Sequence, residues 1–425
     1  MLALRKIACG LLLVIMAGGS AFASYISAPP QRPDQQTLKW KGQQIKVAIS
    51  NSLTQSSFNI KPDSDVIGAL MRSFKAWENV AKIEFVTDIS EKQSISSSGA
   101  GDGVSLITVA QTPENVLLFS REPDRESAKT RVFYNKGSIT EADIVLNPFQ
   151  MFSTDGSFGT FDLQATLTHE IGHMLGLRHS AVLGAIMSES IPKNGTFGFP
   201  DLGLRSLSRN DIASIRDLYG FDGGEQACCG VIAGRLAGIN LRSSKGAVRV
   251  WAEEAETGRV VAQTDAASDG TFRLGGLPDA AYSVFWQMND GDVSSGGELG
   301  LAAIQDGGTV TLGGKVSSRM ASPEIEFIGI NGFLANTAVP VKAGGEYLIF
   351  LAGKDLDMKA VGLQFNSTSL RITSGPFARP ELSESASVVS FGISVDEKTP
   401  PGLYTITASS PNGSRASLVG AIKVD

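Results

Sequence analysis

The chemistry of this chain is concentrated in one stretch, His169-Glu170-Ile171-Gly172-His173-Met174-Leu175-Gly176-Leu177-Arg178-His179-Ser180. All 3 histidines of the 425 residues lie in it, at offsets 0, +4 and +10, with Glu170 directly after the first and Gly176 at +7. Histidines placed at random take that spacing on the order of once in 30,000 arrangements, so scattered surface or core imidazoles are a poor account of it. On a helix turning about 100° per residue, His169 and His173 share one face a turn apart, and two nitrogens so placed can close on a single metal ion. Glu170 then lies beside that metal, where a carboxylate can serve as general base on a water molecule. Gly176 tolerates the left-handed conformation that ends a helix, so the chain can turn and return His179 as a third ligand. Three neutral imidazoles leave one open position, the pattern of a catalytic zinc rather than of a structural zinc closed by four protein ligands. Zinc in such a site lowers the pKa of water from about 15.7 to about 7 and polarises a carbonyl.

The element that must position these groups is a helix over Asp162 to Leu175. Asp162 caps it, and Leu163, Leu167, Ile171 and Leu175 form its apolar stripe, from which both histidines point away. Before it, Gln44 to Ser50, Ile83 to Val86, Val104 to Ala110, Arg131 to Asn135 and Ala142 to Asn147 read as strands. Ile67, Leu70, Met71, Phe74 and Trp77 follow helical spacing and read as core, while Glu114 to Arg121 fits either element. Arg131 to Asn135 reads as the exposed edge strand, where Arg131, Val132, Phe133 and Tyr134 could pair with an extended polypeptide substrate. After the histidines, Ser188 to Leu207 is a Gly- and Pro-containing loop whose Phe197 and Phe199 suggest an apolar substrate pocket. Ser208, with Asp211 three residues on, caps a last helix that Gly220 ends.

His169-Glu170-x-x-His173-x-x-Gly176-x-x-His179 resembles the signature of the metzincin metalloproteases, and Ser180 resembles their matrixin branch. Ala185-Ile186-Met187-Ser188 resembles the Met-turn, which implies that Met187 lies beneath the metal. Ile139 to Asn147 and Leu207 to Gly220 resemble the matrixin strand before the active helix and the closing helix. The resemblance covers residues 38–222 and implies an α+β catalytic domain, a twisted mixed sheet with an active-site helix. It implies one catalytic Zn2+ on His169, His173 and His179, Glu170 as base, and polypeptide substrates. Glu189 stands where astacin-like and serralysin-like enzymes carry a metal-binding tyrosine. No histidine remains for the second, structural zinc of mammalian matrixins. A Ca2+ site using Asp102 or Asp143 has no loop motif behind it. No inhibitory cysteine precedes the site.

The length suggests about three domains. With 42% hydrophobic and 19% charged residues the chain can build stable cores. The net charge of −6, and the absence of a basic cluster, argue against nucleic acid as partner. Residues 1–23 read as a secretory signal: Arg5 and Lys6, an apolar run from Ile7 to Met16, then Ala21-Phe22-Ala23. The run is short for a membrane span of about 20 residues, which favours cleavage over an anchor. The mature chain is then secreted, whether to periplasm, cell surface or medium. Residues 24–37 and 223–230 read as linkers. Cys228 and Cys229 remain, either bridged to each other, linking two chains, or reduced. Oligomeric state is not legible.

Beyond the second linker the apolar period becomes two. Val248/Val250, Phe272/Leu274 and Tyr282/Val284/Trp286 alternate, with turns at Glu256-Thr257-Gly258 and Asp269-Gly270. Gly246 to Val250 and Gly276 to Tyr282 resemble a carboxypeptidase-regulatory-like β-sandwich over 231–315. Gly353-Lys354-Asp355-Leu356 and Gly402 to Ile406 resemble an immunoglobulin-like sandwich over 323–425. Both are expected to be spacers, or modules that dock a cell surface or substrate. The whole is thus a multidomain chain, an α+β metalloendopeptidase domain followed by two all-β sandwiches. The rival expectation is a surface adhesin with an inactive protease-like domain, against which the intact Glu170 argues.

Overall fold

The computed structural model describes residues 37–96, 101–121, 123–124, 126–200, 204–221, 228–238, 248–290, 293–315, 323–354, 356, 362–383, 386–410 and 415–425. The signal reading of 1–23, the linker at 24–36, and residues 223–227 of the second linker lie outside them. No helix among the described residues is long and apolar enough to cross a membrane.

The first unit is built on a mixed sheet. Its strands are β1 (Lys39–Trp40), β2 (Gln44–Ser50), β3 (Glu84–Ser90), β4 (Leu106–Thr108), β5 (Ala128–Asn135) and β6 (Ser138–Leu146), in the order β1-β6-β4-β2-β3. Every pairing in that path is parallel; β5 alone runs antiparallel, against β6. β7 (Phe152–Ser153) and β8 (Phe161–Asp162) form a small parallel pair. The third strand is shorter than the run from Val104 to Ala110 predicted: ahead of its short ladder, Ser105 Oγ accepts from Ala142 N and Leu106 N donates to the Asp143 carboxylate, both on β6. The ambiguous segment after it forms a short helix, α2 (Pro113–Leu117), which Thr112 caps.

Two helices cover one face of the sheet. Asp65 caps α1 (Val66–Glu78) by accepting from Gly68 N, and α1 buries Leu70, Phe74 and Trp77. Trp77 Nε1 donates to Thr168 O at 2.9 Å, which fixes α1 against α3 (Leu163–Met174). Asp162 caps α3 through Ala165 N at 2.9 Å and is itself held by Arg205. α3 is buried on every side, so its apolar stripe does not mark its only covered face. α4 (Arg209–Tyr219) closes the unit behind a capping box between Ser208 and Asp211.

Two sandwiches follow, as the period of two requires. In the first, β11 (Val260–Asp265), β10 (Val248–Glu254), β13 (Ala281–Asp290) and β14 (Val293–Ala303) form one sheet. β12 (Thr271–Leu277), β9 (Gly230–Ala237) and β15 (Thr309–Lys315) form the other. Cys228 and Cys229, just ahead of β9, are bridged to each other. In the second, β17 (Phe333–Ala335), β16 (Glu324–Ile330), β19 (Glu346–Lys354), β22 (Ser387–Val395) and β21 (Leu370–Ala378) face β18 (Val339–Val341), β24 (Arg415–Val424), β23 (Gly402–Ser409) and β20 (Gly362–Phe365).

Neither sandwich stands clear of the first unit. The first sandwich packs on α4: Ala213 joins its core, Gln263 N donates to Asn210 Oδ1 at 2.7 Å, and Arg273 pairs with Asp217. Val182 and Ala185, from the loop after His179, share one apolar cluster with Trp251, Val260 and Phe285 of the first sandwich and Ala338, Leu403 and Val419 of the second. Alternation in a strand sequence shows that a face is buried, not which body covers the sheet's edges and loops.

Candidate metal centre

The end of α3 builds the site. Gly176 has φ +95°, its N–H bonds to His173 O and the N–H of Leu177 to Gly172 O. That pair of bonds is a Schellman cap, and it turns the chain so that His179 comes back toward the helix. The space is as restrictive as the dihedral: a Cβ on Gly176 would lie 2.2 Å from Leu38 O.

The three imidazoles converge as the spacing predicts. Their ligand atoms all lie within 4.8 Å of one another, and His169 Nε2 and His173 Nε2 are 3.0 Å apart. His169 Nδ1 is 2.6 Å from Ile186 O and His173 Nδ1 is 2.8 Å from Leu177 O. A carbonyl can only accept, so both Nδ1 atoms carry the proton and both Nε2 atoms present a lone pair. Two lone pairs facing each other at that distance, in buried rings, repel unless a cation lies between them. Burial, with the neighbouring imidazoles second, holds His169 down to about 3 and His173 well below its ordinary value, so both rings stay neutral, the form that binds metal. The donor set therefore fits a divalent metal ion.

Glu170 is fully buried beside them. Thr130 Oγ1, on β5, donates to Glu170 Oε2 at 2.5 Å, while Oε1 is buried with no protein partner. Burial pushes this carboxyl up to about 8, opposed by the Thr130 hydroxyl and by Lys129. Met187 lies under α3, and a Cβ on Gly172 would meet its sulfur at 2.3 Å, so Gly172 is the residue that lets the helix rest on it. The turn is fixed from below: Asp211 accepts from Ile186 N at 2.9 Å and Met187 N at 3.1 Å, and Ile186 then offers its carbonyl to His169.

Residues 39–220 match the family model described as matrixin. They form a matrixin-like domain. Metalloendoproteinase 1 of Glycine max is 28% identical over 178 residues, 40% of this chain and 52% of that protein. Stromelysin-1 of Rattus norvegicus is 30% identical over 182 residues, 43% of this chain and 33% of that protein. This chain thus spans about half the length of the first relative and a third of the second. Among solved structures, the major pilin subunit BcpA of Bacillus cereus aligns at 14% identity over 45% of this chain and 67% of that one, with a TM-score of 0.15, too low to support any reading.

The structure puts Arg131, Val132, Phe133 and Tyr134 on β5, whose only strand partner among the described residues is β6. Val132 and Phe133 are buried, Arg131 Nη1 donates to Ser96 O at 2.7 Å, and Tyr134 is exposed. Phe197 and Phe199 do not line a pocket of the matrixin-like domain. Phe197 is 0% exposed in the core of the second sandwich, and Phe199 packs against that core. An apolar ring in an irregular segment has no period to distinguish a pocket wall from the core of a neighbouring domain. Asp102 pairs with Lys92, and Asp143 accepts from Leu106 N and Ser96 N, so both carboxylates already have protein partners. Among the described residues only the three histidines group as a metal site.

Sequence reasoning missed Thr130, Gly172 and the second task of Asp211. The capping-box position was a signal for Asp211, but nothing local pointed to its contact with amides 24 and 25 residues away.

Proposed function

We propose that this chain is a secreted zinc-dependent metalloendopeptidase that hydrolyses polypeptides, with His169, His173 and His179 as the metal ligands and Glu170 as the general base. The observation that carries the reading is the pair of Nε2 atoms 3.0 Å apart, each ring tied from behind to a carbonyl, next to a carboxylate with one oxygen left over. The matrixin-like domain and its relatives among metalloproteinases support it. Secretion rests on the pattern of residues 1–23 alone.

Zinc, when bound, would supply a Lewis acid that acidifies water and polarises the scissile carbonyl. Glu170 Oε1 takes the proton that water releases as its oxygen adds to the carbonyl carbon. The same carboxyl then gives that proton to the amine nitrogen as the C–N bond breaks. Thr130 holds Oε2 so that Oε1 stays aimed at the reacting water. A cation within a few ångströms favours the carboxylate over the acid, so the base is charged when metal is present despite its burial. Met187 and Asp211 fix the turn that orients His169. The open backbone edge of β5 at Arg131, Val132, Phe133 and Tyr134 would align an extended substrate by strand pairing.

Residues 24–425, incubated with an unfolded protein, should cleave it; a chelator should stop cleavage and added Zn2+ restore it. Zinc binding at one ion per chain without any cleavage of unfolded protein or peptide libraries would contradict the reading.

A further inference from the structure

We propose that Gln263, on β11 of the first sandwich, is a positioning residue for the metal ligand His179. The proposal rests on the metal-centre reading above. His169 and His173 are placed by a helix, with a carbonyl behind each ring. His179 sits on irregular chain beyond the cap of α3, where no helix fixes its backbone. Within the matrixin-like domain the chain is caught just after it, where Ser180 N donates to Met187 O at 2.7 Å. The next hold comes from another body. Gln263 Oε1 accepts from Ala181 N at 3.1 Å and from Ser180 Oγ at 3.4 Å.

The same residue closes a ring of hydrogen bonds. β11 is the edge strand of its sheet, so an N–H directed away from β10 is left to a partner outside the sheet. The Gln263 N–H donates to Asn210 Oδ1 at 2.7 Å, and Asn210 Nδ2 donates to Ser180 Oγ at 2.9 Å. Ser180 Oγ also accepts from Val182 N at 3.1 Å. The single proton and both lone pairs of this hydroxyl are thus occupied, the proton by Gln263 and the lone pairs by Asn210 and Val182. Ser180 and Asn210 are buried, so removing one partner from the ring leaves polar groups unpaired away from water. Further along, Leu183 N donates to Val419 O at 2.9 Å, on β24 of the second sandwich. The chain that leaves His179 is therefore hydrogen-bonded to both sandwiches by the time it reaches Leu183. A ligand on irregular chain binds metal more tightly when its backbone is ordered beforehand, because ordering it during binding subtracts from the binding free energy. Gln263 imposes that order on the two residues next to His179, so the first sandwich completes the metal centre.

The test uses the full chain as wild type and three variants. Gln263→Met keeps the length of the side chain and removes the acceptor. Gln263→Glu combined with Asp265→Asn restores an acceptor oxygen and takes away the carboxylate that Gln263 Nε2 now contacts at 3.2 Å. Arg273→Ala breaks the ion pair with Asp217 across the same joint and serves as control. The readings are zinc affinity by chelator competition, the d–d absorption of the Co2+-loaded protein, and amide exchange at Ala181. Gln263→Met should bind zinc about tenfold more weakly, alter the Co2+ absorption and exchange Ala181 about tenfold faster. The double variant should return all three toward wild type, and Arg273→Ala should leave affinity and absorption unchanged. Wild-type affinity and absorption in Gln263→Met, a double variant no better than Gln263→Met, or equal losses in Arg273→Ala each overturn the proposal. Should Gln263→Met not fold, the wild-type chain decides, because coupling is reciprocal: zinc loading should slow exchange at the Gln263 amide as it does at Ala181 and leave the amides of β13 unchanged. No slowing at Gln263 overturns the proposal. A wild-type chain that binds no zinc sinks the metal-centre reading and this proposal with it, whereas zinc bound equally by wild type and Gln263→Met sinks only this proposal.

Discussion

At the scale of single residues, the described core contains several carboxylates held by different means. Glu170 keeps one buried oxygen without a protein partner, Asp211 spends both on amides, and Asp143 accepts two amides from neighbouring strands and loops. Burial pushes Asp143 up to about 7; the Leu106 amide opposes the rise and Glu141 adds to it. A carboxyl whose folded pKa is raised binds its proton more tightly in the folded state. Its contribution is fully present below its ordinary pKa, near 4, and is lost as pH climbs through 7. Asp143→Asn should flatten the fall in stability between pH 4 and 7, a difference on the order of 4 kcal/mol over that range. Denaturant midpoints at pH 4.5 and 7.5 check it; equal slopes in wild type and variant would count against a raised Asp143. The histidines were legible because their partnership is local, four and ten residues apart. Thr130 was not, because a threonine in a strand is ordinary and its contact with Glu170 spans 40 residues.

At the scale of elements, α3 and α4 were legible because caps, stripes and terminal glycines are short-range signals. Strand ends were less so: β3 runs four residues past Val86 to Ser90, and β4 is cut to Leu106–Thr108. Pairing partners fix where a strand stops, and a single strand's sequence does not name them. The join between α4 and the Met187 turn shows an element acting beyond itself. Asp211 serves the cap of α4 and the amides of Ile186 and Met187 at once. Asp211→Ala leaves buried amides unpaired and should cost about 3 kcal/mol or more of stability. Because Ile186 O orients His169, zinc affinity should fall as well. Denaturation together with competition against a coloured chelator measures both. A loss of stability with zinc affinity unchanged would mean that the turn does not position His169.

At the scale of the whole molecule, the order of an α+β unit and two sandwiches was legible from periodicity, since a switch from 3.6 to 2 needs no tertiary knowledge. How the three bodies pack was not. Val182, Ala185 and Phe197 lie in the irregular stretch after His179, with no period to announce a partner, yet each is buried against a sandwich. The loop that carries His179 into the Met187 turn is thus held by the whole chain, and the proposed site is best tested in the whole chain. Glu170→Ala and His173→Ala, made in residues 24–425, should separate the two halves of the account. Glu170→Ala should bind one Zn2+ per chain and lose cleavage of an unfolded protein by about a thousandfold, while His173→Ala should lose both. Cleavage surviving in Glu170→Ala, or full zinc occupancy surviving in His173→Ala, would contradict it.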